Sequence, residues 1–346
     1  MTVAVRGLAV VGLGMALAPH ARALAELADR YRVVGAWSRS EPRRAAAAAA
    51  YDLPVTADLD ALVADPNVDV GLILTPPASH YELAERFLDA GKHVIVEKPL
   101  DTELGRAERL VASAAAKNRS LGIVLQHRFR KAARALGALL QDGELGPIGT
   151  ATCIVPWWRD QTYYDQPGRG TRERDGGGVL MTQAIHTIDL FRALTGGIGR
   201  VAAAAQTTPL HRMECEDVVA AVVELNGGAI GSLYATTAAF PGHPEEIRLV
   251  CANGVAALLG DALRVDWLDG RHTAVGEAAA MGSGADPMAF SHDAHKALLA
   301  DYADALDQGR APEADGRDGL ATQRLIERLL DAAAAGSWVI VETEWS

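Results

Sequence analysis

Lys98 stands between Glu97 and Pro99, just after an apolar run over 92–96. If that run is a strand, the lysine lies past its carboxyl end, where open α/β sheets bind ligands. The following proline biases Lys98 toward extended backbone, so its ammonium is aimed rather than free. A lysine so placed can hold a hydroxyl and stabilise negative charge developing on its oxygen; the plain alternative is a surface lysine. Thr182, His186 and Asp189 are spaced i, i+4, i+7, which puts them on one face of a helix. An imidazole there suits removal of a hydroxyl proton, although a core histidine satisfied by Asp189 would show the same spacing. Gly176, Gly177 and Gly178 precede that helix and would let backbone pass close to a ligand.

A third set reads Gly12-Leu13-Gly14-Met15, where an apolar run hands over to a helical stretch. Gly12 permits the tight turn, and Gly14 lets backbone approach a pyrophosphate at a helix N-terminus. Leu17 replaces the third small residue of that pattern. About 20 residues on, the chain reads Trp37-Ser38-Arg39-Ser40-Glu41-Pro42-Arg43-Arg44, with no acid at the tip to bind both ribose hydroxyls. Ser38 and the planar forks of Arg39 or Arg43 suit a 2′-phosphate. This favours NADP(H), with NAD(H) as the alternative. Trp157, Trp158, Arg159, Tyr163, Tyr164, Arg169 and Arg172 lie in a polar, aromatic loop that fits the hydroxyls of a sugar or cyclitol, or equally a subunit contact.

The elements that must hold these residues follow from periodicity. Apolar runs at 8–12, 32–37, 68–74, 92–96 and 121–125 alternate with helical stretches at 17–30, 42–51, 59–64, 78–90 and 102–117. That rhythm predicts a doubly wound parallel sheet covered by helices on both faces. After about residue 145 strands dominate, at 147–155, 201–206, 218–225, 229–237, 247–250 and 263–267, with a hairpin signal at Asn226-Gly227-Gly228. Helices are expected at 179–194, 291–307 and 319–335. The fold class is therefore α/β with a second α+β domain built on a large, mainly antiparallel sheet. The domains are expected at 1–125, binding dinucleotide, and 126–346, binding substrate and mediating oligomerisation, with the final helices able to pack back on the first.

Composition bounds the rest. The 346 residues are 49% hydrophobic and 22% charged, and carry a net charge of −11. That balance argues against nucleic acid and anionic membranes as partners. No segment reaches the length of a membrane span. Cys153, Cys215 and Cys251 lie far apart, which suits a reducing cytosol rather than a disulfide scaffold. The apolar stretch after Arg6 is a poor secretion signal, so a cytoplasmic protein is expected. No metal site is expected: His292 and His295 lack a third ligand at matching spacing and read as surface residues, and His211, Glu214 and Cys215 lack zinc-site spacing.

Three strings complete the reading: the Gly12 loop; Thr75-Pro76-Pro77-Ala78-Ser79-His80 with Ala90-Gly91-Lys92-His93-Val94-Ile95-Val96-Glu97-Lys98-Pro99; and Gly176-Gly177-Gly178-Val179-Leu180-Met181-Thr182-Gln183-Ala184-Ile185-His186-Thr187-Ile188-Asp189. Together they resemble the Gfo/Idh/MocA family of nicotinamide-dependent sugar and polyol oxidoreductases, over nearly the whole chain. The resemblance implies a Rossmann N-terminal domain and hydride exchange between NAD(P) and a secondary alcohol of a sugar or cyclitol, for example an inositol or aldose. It implies Lys98 and His186 as catalytic residues. Cofactor contacts would come from Gly12, Leu13, Gly14, Met15, Ser38, Arg39, Arg43, Thr75, Pro76, His80, Glu97, Lys98 and Gln126. Substrate contacts would come from Lys98, Arg128, Trp158, Arg159, Tyr163, Arg169, Thr182, Gln183 and His186. It also implies a homodimer or homotetramer through the C-terminal sheet. Many members carry Asp where this chain has Thr182, so that carboxylate's role does not transfer. Two other activities fit the same resemblance: a glycosidase acting by transient oxidation, and a non-enzymatic sugar or dinucleotide sensor.

Overall fold

The computed structural model describes residues 4–277 and 291–341. They form two compact units: one takes the chain up to Gln126 together with Ser291–Leu320, the other starts at His127 and resumes at Ala321. In the first unit β1 (Arg6–Val11), α1 (Leu17–Glu26), β2 (Tyr31–Trp37), α2 (Glu41–Tyr51), β3 (Val55–Thr56), α3 (Leu59–Ala64), β4 (Val70–Ile73), α4 (His80–Asp89), β5 (His93–Val96), α5 (Leu104–Ala116) and β6 (Leu121–Ile123) alternate. The strands pair in parallel in the order β3-β2-β1-β4-β5-β6. Leu8, Val10, Val11, Leu72, Ile73, Val94, Ile95 and Val96 are fully buried. Helices cover both faces of such a sheet, which is why these strands read as unbroken apolar runs. Strand order reverses between β1 and β4, and ligands bind beyond the carboxyl ends at such a switch point.

The second unit holds α6 (Lys131–Gln141), β7 (Ile148–Pro156), the four-residue helices α7 (Gln161–Tyr164) and α8 (Arg172–Asp175), α9 (Ile185–Leu194), and β8 (Ile198–Gln206). There follow β9 (Val218–Leu225), β10 (Ile230–Thr236), β11 (Glu246–Cys251), β12 (Gly254–Leu259), β13 (Ala262–Trp267) and β14 (His272–Val275). Then come α10 (Asp293–Gln308), which belongs to the first unit, α11 (Gly316–Ala335), and β15 (Val339–Ile340). The nine-stranded sheet runs β14-β13-β12-β11-β7-β10-β9-β8-β15, antiparallel throughout except for the parallel β7–β10 pair. β9 and β10 alternate buried and exposed residues. Val219, Val223 and Leu233 face the core, while Val222, Ile230 and Tyr234 stand on the open face. Helices α6 and α9 pack on the covered face.

Tyr302 of α10 completes the first unit's core. Its ring fills the space beside Gly122, where a Cβ would come within 2.6 Å of it. Its hydroxyl lies 3.0 Å from the Val94 carbonyl and 2.9 Å from that of Ser120. From the start of β2, Tyr31 donates to the Leu299 carbonyl at 2.8 Å.

Several expectations are corrected. Strands β3, β12, β14 and β15 and helices α6, α7 and α8 were not anticipated by the spacing, and the stretch expected as one helix over 78–90 begins with a 3₁₀ turn, Pro77–Ser79. The helix expected at 179–194 opens with a π turn, Leu180–Ala184, before α9. That wider turn shifts Thr182 out of strict i, i+4 register with His186. Among the described residues no helix is long and apolar enough to cross a membrane.

Candidate active site

The first unit gathers most of the expected cofactor residues at the carboxyl ends of β1, β2, β4 and β5. Gly12 follows β1 with φ +107°, and a Cβ on it would come within 2.7 Å of Leu74 and Thr75 backbone. Only glycine fits so close to the end of β4. Gly14 faces open space except for Arg43 Nη1, 3.9 Å from where its Cβ would stand. Behind it Ala16 is the N-cap of α1, which has no side-chain cap and no acid in its first turn. Uncapped N–H groups beside an open glycine suit the diphosphate of a dinucleotide, so these residues fit such a group. Leu13 is buried, and Met15 is exposed.

In the β2–α2 loop the residues divide. Ser38 is buried and its Oγ accepts the Ser40 N–H at 3.2 Å, while Ser40 caps α2. Arg39 is exposed. Arg44 donates to the Ser38 carbonyl at 2.6 Å and so shapes the loop. Arg43 alone of the three arginines is brought against the Gly14 turn.

After β4, Thr75 is half-buried and Pro76 exposed. His80 is fully buried, with Nδ1 2.8 Å from the Pro99 carbonyl and Nε2 2.7 Å from that of Thr75. Burial holds its pKa below the usual histidine value, although both carbonyls favour the charged ring. His80 thus ties the β4 loop to the Lys98-Pro99 peptide, which is cis, and acts as a brace. Glu97 sits at the end of β5: Oε1 is 3.0 Å from His20 Nε2, and Oε2 accepts the Lys98 N–H at 3.1 Å. Burial alone would raise its pKa, but His20, His295 and Lys98 outweigh that and hold it below the usual carboxylate range. Lys98 follows, half-buried. His295 is 2% exposed, its ring edge-on to His20 at 5.0 Å, which corrects its reading as a surface histidine. His20, Glu97 and His295 bring one ligand atom each within 4.8 Å of one another, a set that spacing along the chain did not reveal. Gln126 ends the unit, and its Oε1 is a buried acceptor without a hydrogen-bond partner among the described residues.

In the second unit His186 lies on α9 and is 7% exposed. Its ring centre is 5.0 Å from that of His127, tilted by 32°. His127 was not singled out by sequence, although its neighbours Gln126 and Arg128 were. Arg130 fixes it, with Nη2 2.7 Å from His127 Nε2 and Nη1 2.5 Å from Glu245 Oε1. Asp189, fully buried, takes both Arg128 Nε at 2.6 Å and Nη2 at 2.7 Å, together with the Thr322 hydroxyl at 2.8 Å. Arg128 is thereby brought to Asp189 as a bidentate pair that anchors α9.

Glu216, also missed, secures the other end of that helix. Its carbonyl accepts the Val179 N–H at 2.9 Å and its Oε1 the Leu180 N–H at 3.3 Å. Burial pushes its pKa above the usual carboxylate range. A Cβ on Gly178 would lie 1.9 Å from the Glu216 carbonyl oxygen. Close packing of this loop is one reason for glycine at this position. The Thr182 hydroxyl lies 2.7 Å from the Gly178 carbonyl and against the Gln183 amide. Gln183 Nε2 donates to the Tyr163 hydroxyl at 3.3 Å. Arg159 and Arg169 both lie over the Tyr163 ring. The Trp158 ring packs edge-on to Phe240 at 5.6 Å, while its carbonyl accepts from Arg159 Nη1 at 2.7 Å. Tyr164 is buried, its hydroxyl 2.7 Å from Thr237 Oγ1.

A doubly wound parallel sheet with an uncapped Gly-x-Gly helix start defines a dinucleotide-binding architecture. Residues 6–124 match the family model described as oxidoreductase family, NAD-binding Rossmann fold, and residues 133–257 match the GFO/IDH/MocA C-terminal domain. The chain belongs to the GFO/IDH/MocA family of NAD-binding oxidoreductases. An uncharacterised oxidoreductase of Schizosaccharomyces pombe is 30% identical over 218 residues, covering 61% of this chain. The chain spans 58% of that protein's length, less than two thirds. The 1,5-anhydro-D-fructose reductase of Ensifer adhaerens is 27% identical over 292 residues, 82% of this chain and 83% of that protein. The WlbA dehydrogenase of Bordetella pertussis, crystallised with NADH and UDP-GlcNAcA, is 26% identical with a TM-score of 0.85, covering 99% of this chain and 100% of that one.

Proposed function

We propose that this protein is an NAD(P)-dependent dehydrogenase or reductase acting on a secondary alcohol of a sugar or cyclitol. The observation that carries the reading is the gathering of Gly12–Gly14, Arg43, Thr75 and the braced Glu97-Lys98 pair at neighbouring strand ends. The relatives named above, a sugar reductase and a dehydrogenase crystallised with a nucleotide sugar, support the substrate class. When bound, a nicotinamide dinucleotide supplies the two-electron donor or acceptor. Gly12, Leu13, Gly14 and Met15 would hold its diphosphate, and Ser38, Arg39 and Arg43 its adenosine ribose. Thr75, Pro76, Glu97 and Gln126 would line the nicotinamide end, and His80, expected as a cofactor contact, would act from behind them as the brace of that loop.

The chain's own chemistry is assigned as follows. His186 takes the hydroxyl proton of the alcohol, an imidazole being suited to that transfer near neutrality. The Lys98 side chain would stabilise the oxygen as it loses that proton. Thr182, Gln183, Tyr163, Trp158, Arg159 and Arg169 contact the substrate's polar groups, and Arg128 acts through Asp189 on the helix that carries His186. The partner is a second copy, in a dimer or tetramer formed through the open sheet face of Val222, Ile230 and Tyr234. Sedimentation of the full chain checks this, and a monomer at micromolar concentration would refute it.

Two measurements test the core of the proposal. Lys98→Met should lower turnover on the order of 10²–10³-fold while cofactor affinity changes little. Near-normal turnover would remove Lys98 from the mechanism. Arg43 against the Gly14 turn, with no acid at the end of β2, favours NADP(H) over NAD(H). Fluorescence titration should then show NADPH binding at least as well as NADH, with Arg43→Ala weakening NADPH selectively. A tenfold preference for NADH in the wild type, about 1.4 kcal/mol, would reverse the assignment.

A further inference from the structure

We propose that His211 is a positioning residue for the loop that carries Trp158, Arg159 and Tyr163. As an imidazolium paired with Asp217, it fastens that loop through the hydrogen on Nε2 and lets go when that hydrogen leaves. The role deepens the dehydrogenase reading above, which assigns those three residues to the substrate.

His211 lies in the connection from β8 to β9, and its side chain is wholly buried, as is that of Asp217. Nδ1 is 2.7 Å from Asp217 Oδ2, and Nε2 is 2.8 Å from the Arg159 carbonyl. A carbonyl can only accept, so Nε2 carries a hydrogen. Asp217 is engaged as an acceptor as well: Oδ1 takes the Thr208 N–H at 2.7 Å and Oδ2 the Thr208 hydroxyl at 2.6 Å. A carboxylate that takes three donors is the ionised form, so both hydrogens belong to the ring. Removing one leaves a bare nitrogen against an oxygen lone pair in a buried place, which costs far more than a lost bond at the surface.

The loop turns at this contact. Before it, the backbone is paired with the end of β10, the Trp157 N–H to the Thr236 carbonyl at 3.0 Å and the Arg159 N–H to that of Thr237 at 2.9 Å. After it comes α7, capped by Asp160 through the Tyr163 N–H at 3.1 Å. The Tyr163 hydroxyl then accepts from Gln183 at 3.3 Å, in the turn that leads into α9 and His186. The Arg159 carbonyl is thus the junction between paired backbone and the segment that reaches the reacting end. Besides Asp217, the charged groups near the ring are Asp160, whose carboxylate feels it, Arg159, and Arg212, itself 3.7 Å from Asp165. The rings of Tyr164 and Trp158 lie 4.8 and 5.9 Å away, and the Tyr164 hydroxyl is held by Thr237.

The test joins nitrogen NMR of the histidine rings to hydrogen exchange, both on the full chain from pH 5 to 10. His211 is assigned by the signals lost in His211→Gln, and at pH 7 its ring should show both nitrogens protonated. Exchange over 157–165 is read against that of β11 and β12, which removes the intrinsic effect of pH. Relative protection of 157–165 should fall about tenfold or more as the ring loses a hydrogen, as expected for a charge-assisted bond. His211→Phe should show the lowered protection at every pH. His211→Gln, whose amide still donates to the Arg159 carbonyl but does not titrate, should recover part of it and lose the pH dependence. A ring with one hydrogen at pH 7, or the same alkaline fall in His211→Gln, would overturn the role. Turnover of 1,5-anhydro-D-fructose and of myo-inositol, each with both cofactors, is the separate arm: KM should rise over the same pH range in the wild type and stay level in His211→Gln. If NMR and exchange behave as stated and neither compound nor any other sugar or cyclitol is turned over, the dehydrogenase reading fails while the loop fastening stands. If turnover is seen and the ring holds one hydrogen at pH 7, the fastening fails and the dehydrogenase reading stands.

Discussion

His186 and Thr182 sit within four residues of each other, yet they can do different things. The threonine hydroxyl lies 2.7 Å from the Gly178 carbonyl, so its hydrogen bonding serves the helix start. Only the imidazole can exchange a proton with an alcohol near neutral pH. Oxidative turnover should therefore rise with pH along one ionisation. His186→Ala should lose on the order of 10²–10⁴ in rate and flatten that limb. Thr182→Ala removes at most a neutral hydrogen bond, worth roughly 0.5–1.5 kcal/mol, and should keep the limb. Rates from pH 5 to 10 for the three proteins decide it, and a rising limb that survives in His186→Ala would point to another base. At this scale the sequence was informative where a residue type is scarce and its neighbours are diagnostic, as for Lys98 before Pro99 or His186 after three glycines. It was silent on His127 and Glu216. Their contacts to His186 and Leu180 depend on folding across 59 and 36 positions, and neither residue type is unusual where it stands.

Elements were legible in proportion to how completely burial writes itself into their side chains. The parallel strands β1, β4, β5 and β6 are buried almost throughout and β2 over its carboxyl half, and each appears as an apolar run found to within about two residues. Strand β3 has two half-buried residues at the sheet's edge, and β14 alternates exposed with half-buried positions, so neither left a signal. Helix α6 has Arg130 at its N-cap without a side-chain cap, and α7 and α8 have four residues each, too few for a period. The π turn before α9 was invisible for another reason: it is dictated from outside, by Glu216 seizing Val179 and Leu180. That dependence gives a test. Gly178→Ala should push the Glu216 loop off the helix start, since the new methyl would sit 1.9 Å from a backbone oxygen. A loss of a few kcal/mol of stability is expected, with kcat falling more than KM rises as His186 is displaced. Unchanged thermal unfolding and kcat in this variant would show that the loop gives way freely.

For the molecule as a whole, acid stability should be governed in part by His93. Its Nδ1 accepts the Ser120 N–H at 3.0 Å, which requires an unprotonated nitrogen. Burial, then Arg119 and Arg6, depress its pKa to about 4. Because the folded value lies below the unfolded one, the unfolded chain binds the proton first. The stabilisation is complete above about 6.5 and disappears as pH falls toward 4, on the order of 2 kcal/mol after allowance for partial exposure. His93→Asn keeps an acceptor but does not titrate, so the gap in unfolding free energy between it and the wild type should shift by that amount between pH 7.5 and 4. A constant gap would show that His93 titrates alike in both states. The sheet that holds His93 has a further consequence for how the protein is made. Tyr302 reaches back to the Ser120 carbonyl over 182 positions, and until it arrives the groove along Gly122 has no lining. At about 5–20 residues per second, a ribosome needs roughly 10–35 seconds to cover that distance. During that interval the nascent sheet shows an apolar flank to whatever chaperone waits at the exit tunnel.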